Sequence, residues 1–374
     1  MSMEKRRMGK YGLEVPALCL GTMTFGLQVN EKDSRAILDK AYDSKLVFLD
    51  TSDAYPLGGT IDTMGDTEAI IGRWMNDKGN RDELILATKC FAPNRRGLNN
   101  WGLSRQHIME SVEKSLERLG TDYIDLYQSH GFDPHTPQEE TLRAFEDLVT
   151  SGKVRYVGCS NFRAWQLGEA LRAADRLGAT GYVSVQPRYN ILYRDIETDL
   201  LPLCEDQGIG VISYNPLAGG FLSDKYKPGQ EPEDGTRFTL GTAADRYQAR
   251  YWHDAQFQAV ETLKKVVEAK GLNMVSVAVA WVLKQPAISS AIIGASRPDQ
   301  LDANLAAFDV NFDDELEAAC DAAWWSLPRR PVEGGLPIAV IVEGLQFKRE
   351  NTPKGLWVSA TLTMKQKVTN AATK

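Results

Sequence analysis

Short apolar segments alternate with longer amphipathic segments along most of the chain, and this alternation constrains the fold more than any other feature. The apolar segments predict eight β-strands, at Ala17–Met23, Val47–Ser52, Glu83–Lys89, Tyr123–His130, Tyr156–Ser160, Tyr182–Tyr189, Gly210–Pro216 and Ser289–Ala295. Helical spacing predicts helices between and after them, at Lys32–Ser44, Thr67–Asp77, Arg105–Leu119, Gln138–Ser151, Ala164–Leu177, Ile196–Asp206, Asp254–Ala269, Met274–Lys284 and Asp299–Ala307. Eight such alternations, with strands apolar on both faces, predict an α/β protein of the (β/α)8 TIM barrel class.

Three regions fall outside this pattern. Met8–Val15 has the features of an N-terminal β-hairpin, and Leu217–Trp252 forms a long loop after strand 7 that is rich in Gly and Pro. We expect the barrel domain to span residues 1–327 and a C-terminal extension to span residues 328–374. The extension contains two strand-like segments, Ile338–Val342 and Leu356–Met364. It is expected to be dispensable for barrel folding, with a role at the barrel mouth, a role in self-association and a non-native origin all left open.

Composition excludes several classes of function. The 374 residues include 50 acidic and 43 basic side chains, for a formal net charge of −7, so no basic field favours a nucleic-acid partner. No apolar run is long enough to span a membrane, and the basic N-terminus lacks the apolar segment of a signal peptide. The five cysteines form no CxxC pair and are interpreted as free thiols. A cytoplasmic protein without a metal site, either a monomer or a homo-oligomer, is the expectation.

Chemically useful polar residues lie where the predicted strands end. Asp50 ends strand two and is followed by Tyr55; Lys89 ends strand three and His130 ends strand four. Because the carboxyl ends of barrel strands meet at one rim, these four side chains are expected to lie together. A Lys ammonium lowers the pKa of a nearby Tyr phenol, an Asp carboxylate holds the ammonium, and a His hydrogen-bonds a carbonyl. Such a set suits a general acid that protonates a carbonyl while it accepts a hydride from a cofactor.

Five strings carry a resemblance to a known family: FLDTSDAY (48–55), ILATK (85–89), IDLYQSH (124–130), GKVRYVGCSNF (152–162) and ISYNPLAGGFLSDKY (212–226). From about residue 5 to about residue 327 the chain resembles the aldo-keto reductase superfamily. The resemblance implies a (β/α)8 barrel and reduction of an aldehyde or ketone by NADPH. It also implies a catalytic tetrad of Asp50, Tyr55, Lys89 and His130.

The cofactor site is also implied by the resemblance, since the dinucleotide fingerprint GxGxxG is absent. Ser160, Asn161 and Gln186 are expected to hold the carboxamide, and Tyr214 is expected to stack on the nicotinamide ring. Arg297 is expected at the 2′-phosphate, and Gln300 with Asn304 at the adenine. The remaining residues implied to contact NADPH or NADP+ are Gly21, Thr22, Asn215, Pro216, Leu217, Gly219, Leu222, Lys225, Gly294 and Ser296.

Two alternatives remain open beside the reductase. Lys89 could form a Schiff base in an aldolase, and a cofactor-binding regulatory or sensor subunit would keep the same residues. The partner is expected to be a small-molecule carbonyl compound. The loops that contain Phe91, Trp101 and Phe132, together with Tyr251 and Trp252, are consistent with an apolar or aromatic pocket wall and equally with ordinary loop packing.

Overall fold

Eight parallel strands close into a barrel in a computed structural model, which describes residues 3–93, 98–223, 225–240 and 243–328. In order around the barrel, the strands are β3 (Leu18–Gly21), β4 (Phe48–Asp50), β5 (Ile85–Cys90), β6 (Ile124–Ser129), β7 (Val154–Ser160), β8 (Ser184–Gln186), β9 (Gly210–Tyr214) and β10 (Ile288–Ile293), with β10 paired back onto β3. All eight pairings are parallel. The predicted (β/α)8 TIM barrel is therefore confirmed.

The N-terminal hairpin closes one end of the barrel. Strands β1 (Lys5–Arg7) and β2 (Glu14–Pro16) pair antiparallel, which confirms the predicted hairpin. Met8 and Val15 are fully buried and pack into the barrel interior. A Cβ atom on Gly210, at the start of β9, would lie only 2.4 Å from Met8 Sδ, so the hairpin contacts the barrel where its strands begin. The hairpin does not cover the opposite rim, where the strands end and where the predicted catalytic side chains lie.

Two separate cores hold the barrel together. The inner core lies within the barrel and includes Cys19, Phe48, Leu126 and Ile212 from four different strands. The larger outer core lies between the barrel and the surrounding helices. Side chains alternate between the two cores along each strand, because successive residues of a strand point to opposite faces. This alternation decides which residue at each strand end points into the barrel mouth.

The helices surround the barrel and follow the strands in the predicted order. They are α1 (Glu31–Asp43), α2 (Asp66–Lys78), α3 (Arg105–Leu119), α4 (Gln138–Thr150), α5 (Ala164–Leu177), α6 (Leu200–Gln207), α7 (Ala244–Tyr251), α8 (Asp254–Ala269), α9 (Met274–Leu283), α10 (Gln300–Leu305) and α11 (Asp314–Trp325). In α3 the Ser104 side chain accepts a hydrogen bond from the His107 N–H, and Gly120 ends the helix with a φ of 61°. An N-cap hydroxyl and a left-handed glycine are the signals that located this helix in the sequence.

Three helical predictions were wrong in part. The segment predicted as one helix, Ile196–Asp206, is a short 3-10 turn followed by α6. Pro202 explains the break, because proline lacks an N–H and is tolerated only in the first helical turn. The helix predicted at Asp299–Ala307 is shorter and continues as a 3-10 turn, and α11 follows it without having been predicted. Helix α7 forms within the segment predicted to be a long loop.

Within the described residues, no single helix is long and apolar enough to cross a membrane. Helices α8 and α9 reach the required length and hydropathy only when taken together, and they are bent by 99° relative to each other. All five cysteines are buried free thiols, as predicted.

We propose that the barrel domain ends near Leu327 and that residues 328–374 form a separate extension. The extension beyond Pro328, with its two strand-like segments, lies outside the described residues. Leu327 itself is buried against the outer core, so the boundary is placed after it. A chain truncated after Leu327 is expected to be soluble and to melt cooperatively. An insoluble product, or one without a cooperative thermal transition, would contradict this boundary.

Candidate active site

The four residues predicted to be catalytic lie together at the rim where the barrel strands end. The Lys89 ammonium is 2.5 Å from Asp50 Oδ1 and donates a further hydrogen bond to the Thr51 carbonyl at 2.8 Å. It also lies 5.1 Å from the centre of the Tyr55 ring. The Tyr55 and His130 rings meet edge to face, with their centroids 5.8 Å apart. Strand register produces this cluster, because β4 and β5 are neighbours and Tyr55 follows β4 after a short turn.

Burial and neighbouring charges together decide the ionisation of Lys89 and Tyr55. Burial alone would lower the pKa of Lys89, but Asp50 and Tyr55 together outweigh it and the net effect raises the pKa, so the ammonium is retained. Burial raises the pKa of Tyr55, and the contribution of Lys89, which lowers it, is smaller. The expectation that Lys89 lowers the phenol pKa is therefore correct for its own contribution and wrong for the net direction. Tyr55 remains a neutral phenol that carries a proton.

His130 is held as a neutral imidazole. Loss of hydration, together with the positive charges of Lys89 and Arg246, lowers its pKa to about 3. Its Nδ1 atom lies 3.0 Å from Ser52 Oγ, and its backbone N–H donates to the Cys90 carbonyl. Within the described ranges no hydrogen bond involves its Nε2 atom, which leaves that atom for a substrate.

Two buried amides complete the surroundings of Asp50. Gln186 Nε2 donates to Asp50 Oδ2 at 2.8 Å, and Gln128 Nε2 donates to the same oxygen at 3.3 Å. Gln186 Nε2 also donates to Gln128 Oε1 at 3.3 Å. The side-chain nitrogen of Gln186 donates to these acceptors. Its side-chain oxygen, Oε1, is left to accept a hydrogen bond from a ligand amide. Sequence reasoning missed Gln128. It lies two residues before His130, and because side chains two residues apart in extended chain point to the same face, this spacing could have identified it.

The residues expected at the nicotinamide carboxamide also lie together. Ser160 Oγ donates to the backbone carbonyl of Gln186 at 2.9 Å. Asn161 Nδ2 donates to Ser160 Oγ at 3.1 Å and to the backbone carbonyl of His130 at 2.9 Å. Tyr214 Oη donates to Asn161 Oδ1 at 2.9 Å. Asn161 has a φ of 60°, a left-handed conformation that turns its side chain back over the barrel. The network links the ends of β7, β8 and β9 into one polar surface.

A second polar surface lies along the segment that follows β9. Asn215 has a φ of 68°, and its Oδ1 accepts a hydrogen bond from the Gly219 N–H. A Cβ atom on Gly219 would meet the Tyr247 ring at 2.9 Å, so the close approach of α7 requires glycine there. The other predicted residues of this region are distributed between surface and core: Leu217 is partly exposed, while Pro216 and Leu222 are buried.

Three cations converge near the end of β10. Burial lowers the pKa of Lys225, and the positive charges of Arg237 and Arg297 lower it further, against an opposing effect of Glu233. Arg237 NH1 contacts two neutral atoms, Met23 Sδ at 3.2 Å and Tyr247 Oη at 3.3 Å. Its NH2 atom lies 3.2 Å from the position of a Cβ atom on Gly294. Sequence reasoning missed Arg237, because a single arginine in a loop has no periodicity that would single it out.

The residues expected at the adenine end are fixed by local hydrogen bonds. Gln300 Oε1 accepts from the Ser296 N–H at 2.8 Å, and Asn304 Nδ2 donates to the Gln300 carbonyl at 2.7 Å. Asn304 is 2% exposed, and its Oδ1 has no hydrogen-bond partner among the described residues. The Arg297 guanidinium is exposed and pairs with Asp299 at 3.2 Å.

Gly21 and Thr22 complete the rim at the end of β3, where Thr22 Oγ1 donates to the backbone carbonyl of Asp50.

Aromatic side chains flank the cluster on one side. Phe91 follows β5 and meets the partly exposed Trp101 at 5.9 Å, and Phe132 follows His130 and meets Trp165 at 5.5 Å. Tyr251, in contrast, is 1% exposed, and its Oη accepts hydrogen bonds from Asn190 and Asn215. Trp252 packs in an aromatic cluster with Phe221, Phe238 and Phe257. Phe91, Trp101 and Phe132 of the predicted set therefore lie on the loops after β5 and β6, and Tyr251 is buried away from them.

The fold and site together define a (β/α)8 barrel protein with an Asp–Lys ion pair, a buried tyrosine and a neutral histidine at its carboxyl rim. The family model of the "Aldo/keto reductase family" matches residues 17–324, and the chain belongs to this family.

Curated relatives agree with this assignment. The chain is 39% identical to "Uncharacterized oxidoreductase YrpG" of Bacillus subtilis, over 84% of the chain and 94% of that protein. It is 37% identical to "Probable voltage-gated potassium channel subunit beta" of Arabidopsis thaliana, over 82% of the chain and 92% of that protein. It is 31% identical to "Versiconal hemiacetal acetate reductase" of Aspergillus parasiticus, over 84% and 94% respectively.

Proposed function

We propose that this protein reduces an aldehyde or ketone to an alcohol with a hydride from NADPH, and that Tyr55 is the general acid. The observation that carries the proposal is the buried Asp50–Lys89 ion pair beside the neutral phenol of Tyr55. Names of two relatives, an oxidoreductase and a reductase, support the same reaction class. The substrate class best suited to the wall formed by Phe91, Trp101 and Phe132 is an apolar or aromatic carbonyl compound.

Each residue of the tetrad has a distinct part in this reaction. Tyr55 donates its proton to the carbonyl oxygen as negative charge develops there. Lys89 favours the phenolate that is left behind, and Asp50 keeps Lys89 charged and in place. The neutral His130 directs a hydrogen bond from Nε2 to the same carbonyl oxygen, which orients the substrate. NADPH, when bound, supplies the hydride that none of these side chains can provide.

The residues present fit a nicotinamide dinucleotide phosphate. Gln186 Oε1 and Asn161 Oδ1 offer acceptors for the amide group of a carboxamide, because the donor groups of Gln186, Asn161 and Ser160 already bond within the protein. The convergence of Lys225, Arg237 and Arg297 suits several phosphate charges better than any neutral ligand. The unpartnered Oδ1 of Asn304 offers an acceptor for an amino group at the adenine end.

Two arginine variants separate the phosphates that these cations would contact. Arg297→Ala is expected to weaken NADPH binding about 10- to 100-fold and to leave NADH binding unchanged, since a charge-assisted contact is worth about 1.5–3 kcal/mol. Arg237→Ala is expected to weaken both cofactors by similar factors, because the pyrophosphate is common to both. Fluorescence titration measures both dissociation constants, with Arg172→Ala on the outer surface of α5 as the charge-matched control.

The two outcomes are independent of each other. Equal losses for NADPH and NADH in Arg297→Ala would remove Arg297 from the 2′-phosphate. Unchanged binding of both cofactors in Arg237→Ala would remove Arg237 from the pyrophosphate.

The aldolase alternative fits the geometry less well. A Schiff-base lysine needs a depressed pKa to be a free amine, whereas the Asp50 carboxylate raises the pKa of Lys89. A cofactor-binding regulatory subunit is the second candidate, and the similarity to a protein named as a potassium channel subunit beta favours it.

Steady-state kinetics test the proposal. The full-length protein is expected to oxidise NADPH in the presence of a panel of aromatic aldehydes, ketones and sugar aldehydes, and to form the matching alcohol. Tight NADPH binding without turnover of any panel member would favour the regulatory subunit. Trapping of a substrate on Lys89 by borohydride would favour the aldolase.

A further inference from the structure

Ser52 and Asp53 lie between Asp50 and Tyr55, and the proposed reaction uses neither of them. Ser52 Oγ is 3.0 Å from His130 Nδ1 and 3.3 Å from Asp53 Oδ1. The Ala54 N–H donates to the same hydroxyl oxygen at 3.1 Å. A row of three side chains, Asp53, Ser52 and His130, therefore leads from the buried interior to the barrel mouth.

The backbone holds this row rigidly. The Thr51 N–H donates to the Ala87 carbonyl at 2.8 Å, and the Asp53 N–H donates to the Lys89 carbonyl at 3.1 Å. The chain after β4 thus remains hydrogen-bonded to β5 for three further residues. Ser52 is fully buried, and its Oγ accepts a hydrogen bond from the Ala54 N–H, which holds it beside His130.

A hydroxyl group has one proton to donate and two positions that accept, so only two arrangements satisfy this row. If Asp53 is ionised, Ser52 donates to Asp53, and His130 must place its proton on Nδ1 to donate to Ser52. If Asp53 is protonated, it donates to Ser52, and Ser52 donates to His130 Nδ1. Only the second arrangement leaves the proton of His130 on Nε2, where it can serve a carbonyl oxygen.

The surroundings of Asp53 favour the protonated form. Its side chain is 1% exposed, and Oδ2 has no hydrogen-bond partner among the described residues. Arg118, whose positive charge acts on Asp53, pairs with Glu68 at 2.6 Å, and Glu68 also accepts from Thr88.

Burial and the Glu68 carboxylate raise the pKa of Asp53 well above its usual value, against smaller opposing effects of Arg118, Ser52 and Lys89. Cys90 and Tyr127 lie near the same carboxyl group, and their own pKa values are raised mainly by burial, so both stay neutral and add no charge beside Asp53. Burial of a carboxylate with one unpartnered oxygen costs far more free energy than burial of the neutral carboxylic acid.

We infer that Ser52 is a positioning residue that fixes His130 in the tautomer protonated on Nε2, with a protonated Asp53 setting the direction of the Ser52 hydroxyl. The consequence for catalysis rests on the proposed reduction, in which His130 donates to the carbonyl oxygen. The tautomer itself does not depend on that reaction. It is a property of the resting protein and is measured without turnover.

The test is nitrogen NMR on the full-length protein labelled with 15N-histidine at neutral pH. The chain has four histidines, and a His130→Gln variant assigns the His130 signals. We expect wild-type His130 to be neutral with its proton on Nε2. We expect Ser52→Ala to give a mixture of the two tautomers, Ser52→Thr to restore the Nε2-protonated form, and Asp53→Asn to keep it, because its amide donates to Ser52 as a carboxylic acid does.

Kinetics add a readout that a purely structural role would not move. Ser52→Ala is expected to lower kcat about tenfold with little change in the Kd of NADPH, a smaller loss than the roughly 10²–10³ typical for complete removal of such a donor. A wild-type His130 protonated on Nδ1, or a tautomer unchanged in Ser52→Ala, would overturn the inference. A wild-type protein with the expected tautomer but no carbonyl reduction would instead overturn the proposed function.

Discussion

Tyr55→Phe is expected to lower the rate of carbonyl reduction by about 10²–10⁴, the usual contribution of a general acid. The substitution removes one hydroxyl and keeps the ring, which packs against His130 at a centroid distance of 5.8 Å. Tyr214 does not replace the lost proton donor, since its Oη donates to Asn161 Oδ1. The measurement is kcat for NADPH oxidation with a good aldehyde substrate.

Cofactor binding separates this loss from a folding defect. The Kd of NADPH and the Tm are expected to remain close to those of the wild type, because the phenol oxygen is placed at the substrate and not at the dinucleotide. Tyr123→Phe is the matched control, since its hydroxyl lies 3.4 Å from Asp82 on the exposed surface at the opposite end of the barrel. Retention of more than half of the wild-type kcat in Tyr55→Phe would remove Tyr55 from the role of general acid.

Lys89→Met is expected to remove activity and to destabilise the barrel. The variant leaves the Asp50 carboxylate, which is 3% exposed, without its ammonium partner. Breaking one side of a buried ion pair costs about 3–5 kcal/mol. The amide donors of Gln128 and Gln186 remain on Asp50 Oδ2, so we expect a loss near the lower limit, about 3 kcal/mol, and a fall of roughly 5 °C in Tm.

A second substitution separates the two effects of Lys89→Met. Asp50→Asn in the Lys89→Met background removes the unpaired charge, so the double variant is expected to regain much of the lost stability and none of the activity. Thermal melts and NADPH turnover are measured on the same preparations. An unchanged Tm in Lys89→Met, together with a normal pH–rate profile, would contradict the coupling of Asp50, Lys89 and Tyr55.

The membership of three tetrad residues in one cluster was predictable from the sequence. Asp50, Lys89 and His130 each follow or end an apolar segment, and in a closed parallel barrel all such ends meet at the same rim. The boundaries of α3, α5 and α8 were equally accessible, because a 3.6-residue period is a local property of the chain, and in α3 and α5 a glycine that ends the helix adds a second local signal. The break before α6 could also have been predicted, since its cause, Pro202, is a single residue in the first turn of that helix.

The tertiary structure alone decided the electrostatics of the site. The net direction of the Tyr55 pKa depends on how deeply the phenol is buried, and burial is a sum over elements that are distant in sequence. The placement of Arg237 beside Gly294 brings together residues more than fifty positions apart, and it depends on how the segment before α7 folds back over the rim.

Ser52 and Asp53 illustrate the same division. Both residues lie within the string FLDTSDAY. The contact between Ser52 and His130, however, follows only from the strand order, which places β4 and β6 on either side of β5. The sequence by itself determined the barrel, the order of its elements and the rim at which the chemistry lies, because these follow from local periodicity and chain order. Distances across the mouth, the partners of each polar atom and the protonation of buried groups came only from the tertiary structure, because they depend on closure of the barrel and the exclusion of water from it.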